Sequence, residues 1–121
     1  MRSIISSLVV AASFAAACGS SYPAPTQPLA DVQAADRSAK ELGASNVPKA
    51  TLHLKYAEDQ TEQATRLMKD GDNERAAALL VRAKADAELA VALAHEQRAK
   101  TEVQETLRDT TKTTSNPGVQ P

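Results

Sequence analysis

Two alanine seams constrain this chain more than anything else in it. Ala76, Leu80, Ala83, Ala87, Ala90 and Ala94 step by 4, 3, 4, 3 and 4 residues, and Ala50, Leu54, Ala57, Thr61, Ala64 and Met68 repeat the same steps. An α-helix carries positions three and four apart on one face, so each series is the apolar seam of a helix packed on another helix. Between them lies Asp70-Gly71-Asp72, too short for anything but a tight reversal. The two helices are therefore antiparallel neighbours, and facing alanines let their backbones approach to about 8 Å.

The rest of the helical layout follows from local signals. A first helix is expected from near Pro28, which suits an opening turn, to Gly43, a natural residue just past a helix end. Its stripe is Leu29, Val32, Ala35, Ala39 and Leu42, and Asp36 to Lys40 is an i,i+4 pair. Ser45-Asn46-Val47-Pro48 reads as a capping side chain followed by proline in the first turn, opening a second helix that runs to about Asp70. Asp72 or Asn73 caps the third, expected to reach about Thr110, with Leu79, Leu89, Val91 and Leu93 widening its apolar face and Glu96 to Lys100 supporting its polar side. The fold expected is all-α: a long antiparallel helical hairpin with a shorter third helix, packed like a coiled coil, between disordered ends.

Helix three, at about 38 residues and ~57 Å, outruns helix two, at about 24 residues and ~36 Å. The overhang carries Ala99, Val103 and Leu107, a thin apolar line at i,i+4 spacing. It either frays or receives a second copy or another protein.

The ends read differently. Arg2 precedes an apolar run from Ile4 to Ala17 broken only by serines, the layout of a secretory signal over residues 1–17 and too short for the roughly 20 apolar residues of a membrane span. Ala15-Ala16-Ala17-Cys18 resembles the lipobox of bacterial lipoproteins, which implies cleavage before Cys18 and its acylation; Ala15 stands where that pattern usually has Leu, Val or Ile. Ordinary cleavage at an A-x-A site, leaving a free thiol, is the alternative. Gly19 after the cysteine, by resemblance to enteric sorting rules, implies the outer membrane of a Gram-negative bacterium, facing the periplasm. Residues 18–27, rich in Gly, Ser and Pro, are expected to form a flexible tether, and residues 111–121 (TKTTSNPGVQP) a disordered tail.

Pro48-Lys-Ala-x-x-x-Leu54-x-x-Ala57, Leu67-x-x-x-Gly71-Asp72 and Ala76-x-x-x-Leu80-x-x-Ala83-x-x-x-Ala87-x-x-Ala90 together resemble the DUF4398 family, alanine-rich domains of bacterial lipoproteins, and the likeness spans residues 28–110. The family offers no catalytic residue to carry over.

Chemistry-bearing constellations are sparse. His53 and His95 stand on helices without a second histidine or a cysteine at ligand spacing, and both read as surface residues; a structural zinc site needs four ligands. Carboxylates such as Glu58, Asp59, Glu62, Asp86, Glu88, Glu102 and Glu105 are interleaved with Lys and Arg as a solvated face, and no phosphate loop or serine-nucleophile elbow is present. Net charge is −1 with no basic block, so no nucleic-acid footprint exists. No cofactor, metal or small-molecule substrate is expected. The resulting expectation is a non-catalytic envelope lipoprotein, held to the membrane by its lipid anchor, that contacts an envelope protein or itself. A periplasmic holdase-like chaperone or a single tetratricopeptide-like adaptor is the alternative.

Overall fold

In a computed structural model, which describes residues 22–115, the chain forms three helices and a short connector. They are α1 (Thr26–Glu41), a 3-10 turn (Ala44–Asn46), α2 (Pro48–Lys69) and α3 (Asn73–Ser115). Among the described residues none of the helices is long and apolar enough to cross a membrane. The leader expected over residues 1–17 and the acylation expected at Cys18 lie outside the described residues.

The hairpin is as its seams require. All six seam residues of α3 are buried, as are Ala50, Leu54, Ala57 and Ala64 of α2. Thr61 and Met68 are only partly covered; Thr61 turns its hydroxyl back to the Ala57 carbonyl at 2.7 Å. The reversal is a Schellman end: Asp72 N–H donates to the Leu67 carbonyl at 2.9 Å and Gly71 N–H to that of Met68 at 3.2 Å. Gly71 sits at φ +80°, and Gly43 plays the same part after α1 at φ +83°. In that left-handed region an L side chain meets its own carbonyl, so glycine is the residue that ends both helices without strain.

The core divides in two. Near the hairpin turn Val32 of α1 packs with Ala64, Ala76, Leu80 and Ala83, flanked by Leu29, Leu67, Met68 and Leu79. Near the opposite end Ala39 packs with Ala50, Leu54, Ala90 and Ala94, flanked by Leu42, Val47, Val91 and Leu93. Helix α1 thus lies along the hairpin groove with its start at the turn. Ion pairs fasten it: Lys40 to Glu58 at 2.6 Å and Lys84 to Asp31 at 3.6 Å. All four are half exposed, so each pair contributes at most about 1 kcal/mol.

Several local expectations are corrected. Helix α1 begins at Thr26, two residues before Pro28, which falls inside the first turn. The expected i,i+4 partner of Asp36 is taken by another carboxylate, since Lys40 reaches across to Glu58. No side chain caps α2; a 3-10 turn delivers Val47 in extended geometry to Pro48, and Thr51 Oγ1 closes the entry on the Ala44 carbonyl at 2.9 Å. Of residues 18–27, expected to form a flexible tether, 18–21 lie outside the described residues and Thr26 and Gln27 belong to α1. Pro25 is buried, and Asn73 Nδ2 donates to the Tyr22 carbonyl at 2.9 Å, which docks the segment on the hairpin turn.

The tail expected from residue 111 is also corrected, because α3 continues to Ser115. Thr110, Thr111, Thr113 and Thr114 each bond a carbonyl four residues back, which satisfies hydroxyls that would otherwise compete with the helix. Lys112 in the last turn complements the helix dipole. Residues 116–121 lie outside the described residues.

Candidate interaction surface

The length mismatch is larger than the sequence implies. Helix α3 has 43 residues against 22 for α2, or ~64 Å against ~33 Å at 1.5 Å per residue. Helix α2 begins beside Leu93, Gln97 and Lys100, where Val47 and Pro48 line an open groove. From His95 to Ser115 every residue of α3 is exposed.

Of the residues expected from sequence, Ala99, Val103 and Leu107 fall on this exposed stretch, and Cys18 lies outside the described residues. Val103 is 60% and Leu107 62% exposed, and Ala99 is exposed with them. Each step of four residues turns the helix by only about 40°, so the three form one strip. Its direction is the informative part. Val103 lies nine residues beyond Ala94, which at about 100° per residue is half a revolution. The strip therefore faces away from the buried seam, and lengthening α2 would leave it bare.

The strip's surroundings are polar. Glu96 pairs with Lys100, whose ammonium holds the Glu96 carboxyl below the usual carboxylate range, and Arg98 pairs with Glu102 at 3.2 Å. The hydroxyls of Thr101 and Thr106 are occupied by carbonyls of the preceding turn. What stays exposed is an apolar strip with a charged rim.

One polar cluster escaped the sequence reading. His53 Nδ1 lies 2.9 Å from Asp86 Oδ1, and Gln60 Nε2 donates to Asp86 Oδ2 at 2.6 Å. The side chains of His53 and Asp86 are 28% and 24% exposed, so His53 is a half-buried interhelical contact and not the surface residue expected, and Asp86 is not part of a solvated face. His53 and Gln60 are seven apart, one heptad, on the flank of the α2 seam that faces α3; that spacing was the signal available. On the α1 side, Asp36 Oδ1 is buried without a hydrogen-bond partner, and desolvation, then the nearby Glu58, pushes the Asp36 carboxyl above its ordinary range. Among the described residues no group of three or more His, Cys, Asp or Glu is placed to hold a metal ion.

A hairpin seamed by alanine, with a third helix in its groove and an unpartnered extension, defines a small helical packing module. A model of the domain of unknown function DUF4398 matches residues 27–106, two thirds of the chain, and the protein belongs to that family. No curated protein and no solved structure matches it.

Proposed function

We propose that the protein is a non-catalytic envelope lipoprotein: a helical bundle tethered through acylated Cys18 that contacts a protein through the free end of α3. The observation that carries the contact is the exposure of Val103 and Leu107 on a stretch of helix that touches no other element. An isolated helix of this length is marginal in water, and five threonines in its last ten residues weaken it further. A covered strip would stabilise it.

The docked N-terminal segment supports the tether. Only four peptide units separate Cys18 from Tyr22, at most about 14 Å of chain, so an anchored bundle keeps its hairpin turn close to the bilayer. The contact strip lies at the end of α3 remote from that turn. Acyl chains contribute about 0.8 kcal/mol per buried methylene, and more than one makes the anchor stable. The outer membrane, periplasmic face, is the location this reading takes from Gly19.

In-cell photo-crosslinking from positions 103 and 107, with position 66 on α2 as control, tests the contact. A discrete adduct from 103 and 107 alone is expected; its absence would make the overhang a passive end. Fatty-acid labelling tests the tether: label is expected on the parent chain and lost in Cys18→Ser, and label retained in the variant would refute it. A holdase would instead suppress aggregation of an unfolded client at stoichiometric ratio, and α3 carries no aromatic residue to grip one.

A further inference from the structure

The outward strip does not stop at the overhang. The exposed large apolar residues of α3 are Val81, Leu89, Val103 and Leu107, and all four lie within about 40° of the line opposite Ala94. Exposed Ala85 and Ala99 lie on the same line. Helix α3 thus has two apolar faces: one buried in the hairpin and one left bare along both the bundle body and the overhang.

The spacing of the bare face reads the same in both directions. From Val81 through Ala85, Leu89, Ala92, Glu96, Ala99 and Val103 to Leu107 the steps are 4, 4, 3, 4, 3, 4 and 4, centred on position 94. Two copies of α3 laid antiparallel about that centre put strip residue against strip residue at every layer: the apolar layers are Val81 on Leu107, Ala85 on Val103 and Leu89 on Ala99, and the innermost is Ala92 on Glu96, whose carboxylate is paired with Lys100 of its own helix. Two of these layers set a large side chain against an alanine, the alternation that lets facing helices interlock. The overhang of each copy then lies on the body of the other. A parallel pair would instead stack each residue on its own copy, Leu89 on Leu89 and Ala99 on Ala99, which loses the large-on-small alternation.

We infer that a second copy of this chain covers the outward face of α3, antiparallel, with its two-fold axis beside position 94. This rests on the tethered-contact reading above and names the partner. The strip from Val81 to Leu107 is ~40 Å long and ~10 Å wide, on the order of 400 Å² per copy, about half of a standard interface partner. Pairing is therefore weak in dilute solution and forms where tethering concentrates the chains. The two-fold leaves both tethers at one height, so both copies reach the same bilayer with α3 along its surface.

The test is a short bismaleimide applied to membranes carrying the full chain with Ala85→Cys, Val103→Cys or both. The double variant is expected to give a covalent dimer and each single variant none, because the like positions stand 18 residues apart across the axis, ~27 Å. Dimers from the single variants would overturn the antiparallel arrangement, and no dimer from any variant would overturn self-pairing. The parent chain reports the tether separately: an acylated Cys18 leaves no thiol for the reagent, whereas labelled parent chain would show that reading to have failed on its own. Adducts from positions 103 and 107 to a different protein would keep the contact reading and remove the second copy.

Discussion

His53 on α2 and Asp86 on α3 meet at 2.9 Å across the hairpin, in the gap between its two apolar clusters. Asp86 also accepts from Gln60, so one carboxylate ties two turns of α2 to α3 where Ala57, Ala83 and Ala87 make up most of the seam. Small side chains leave the sliding of one helix along another weakly specified, and a directional polar contact specifies it. Asp86→Ala should cost about 1–2 kcal/mol, because two half-buried donors lose their acceptor. Urea denaturation of Asp86→Ala, His53→Ala and the double variant checks this; strictly additive losses would mean that the pair is not coupled.

The turn at Gly71 carries a second prediction. A Cβ there meets nothing within 4 Å, so its cost is the positive φ alone. Gly71→Ala should lower stability by about 1 kcal/mol without altering helix content, read by denaturation and circular dichroism. A neutral result would mean that the reversal does not hold this conformation in solution.

The seam admits little more volume. Ala87 is fully buried where α3 passes α2 between the two clusters. Ala87→Leu should force the helices apart and cost about 1–3 kcal/mol, while Ala30→Leu on the exposed side of α1 should be near neutral. Equal melting temperatures for the two variants would contradict close packing.

Asp36 gives a pH dependence with a definite sign. Burial and Glu58 raise its carboxyl above 3.8, so the folded state binds its proton more tightly than the unfolded chain. Its effect on stability is favourable at low pH and is lost as pH rises through the raised value. Asp36→Asn should therefore raise the melting temperature at pH 7, with the gain shrinking as pH falls towards 3.8. A gain independent of pH would place its cause elsewhere.

What was legible in the chain was what periodicity writes. The hairpin, the buried faces of α2 and α3 and the two glycine ends follow from the 4-3 steps and from Gly43 and Gly71, because those depend on one residue type in one backbone state. What depends on neighbours distant in sequence was not legible. Lys40 turns to Glu58 in place of Asp36 only because α1 settles in the hairpin groove. Composition pointed to a tail after Thr110, yet the threonines bond back to the preceding turn and carry the helix to Ser115. The strip Ala99, Val103, Leu107 was visible as an i,i+4 line; its direction became plain only against the buried seam it opposes.

The most direct measurement is hydrogen exchange at the amides of residues 98–111, compared between membranes carrying the protein and the same protein released and diluted. Protection of this stretch is expected in membranes, lost on dilution and lost in Val103→Glu with Leu107→Glu, while residues 76–94 stay protected throughout. Exchange of residues 98–111 at the open-helix rate in both preparations would contradict it.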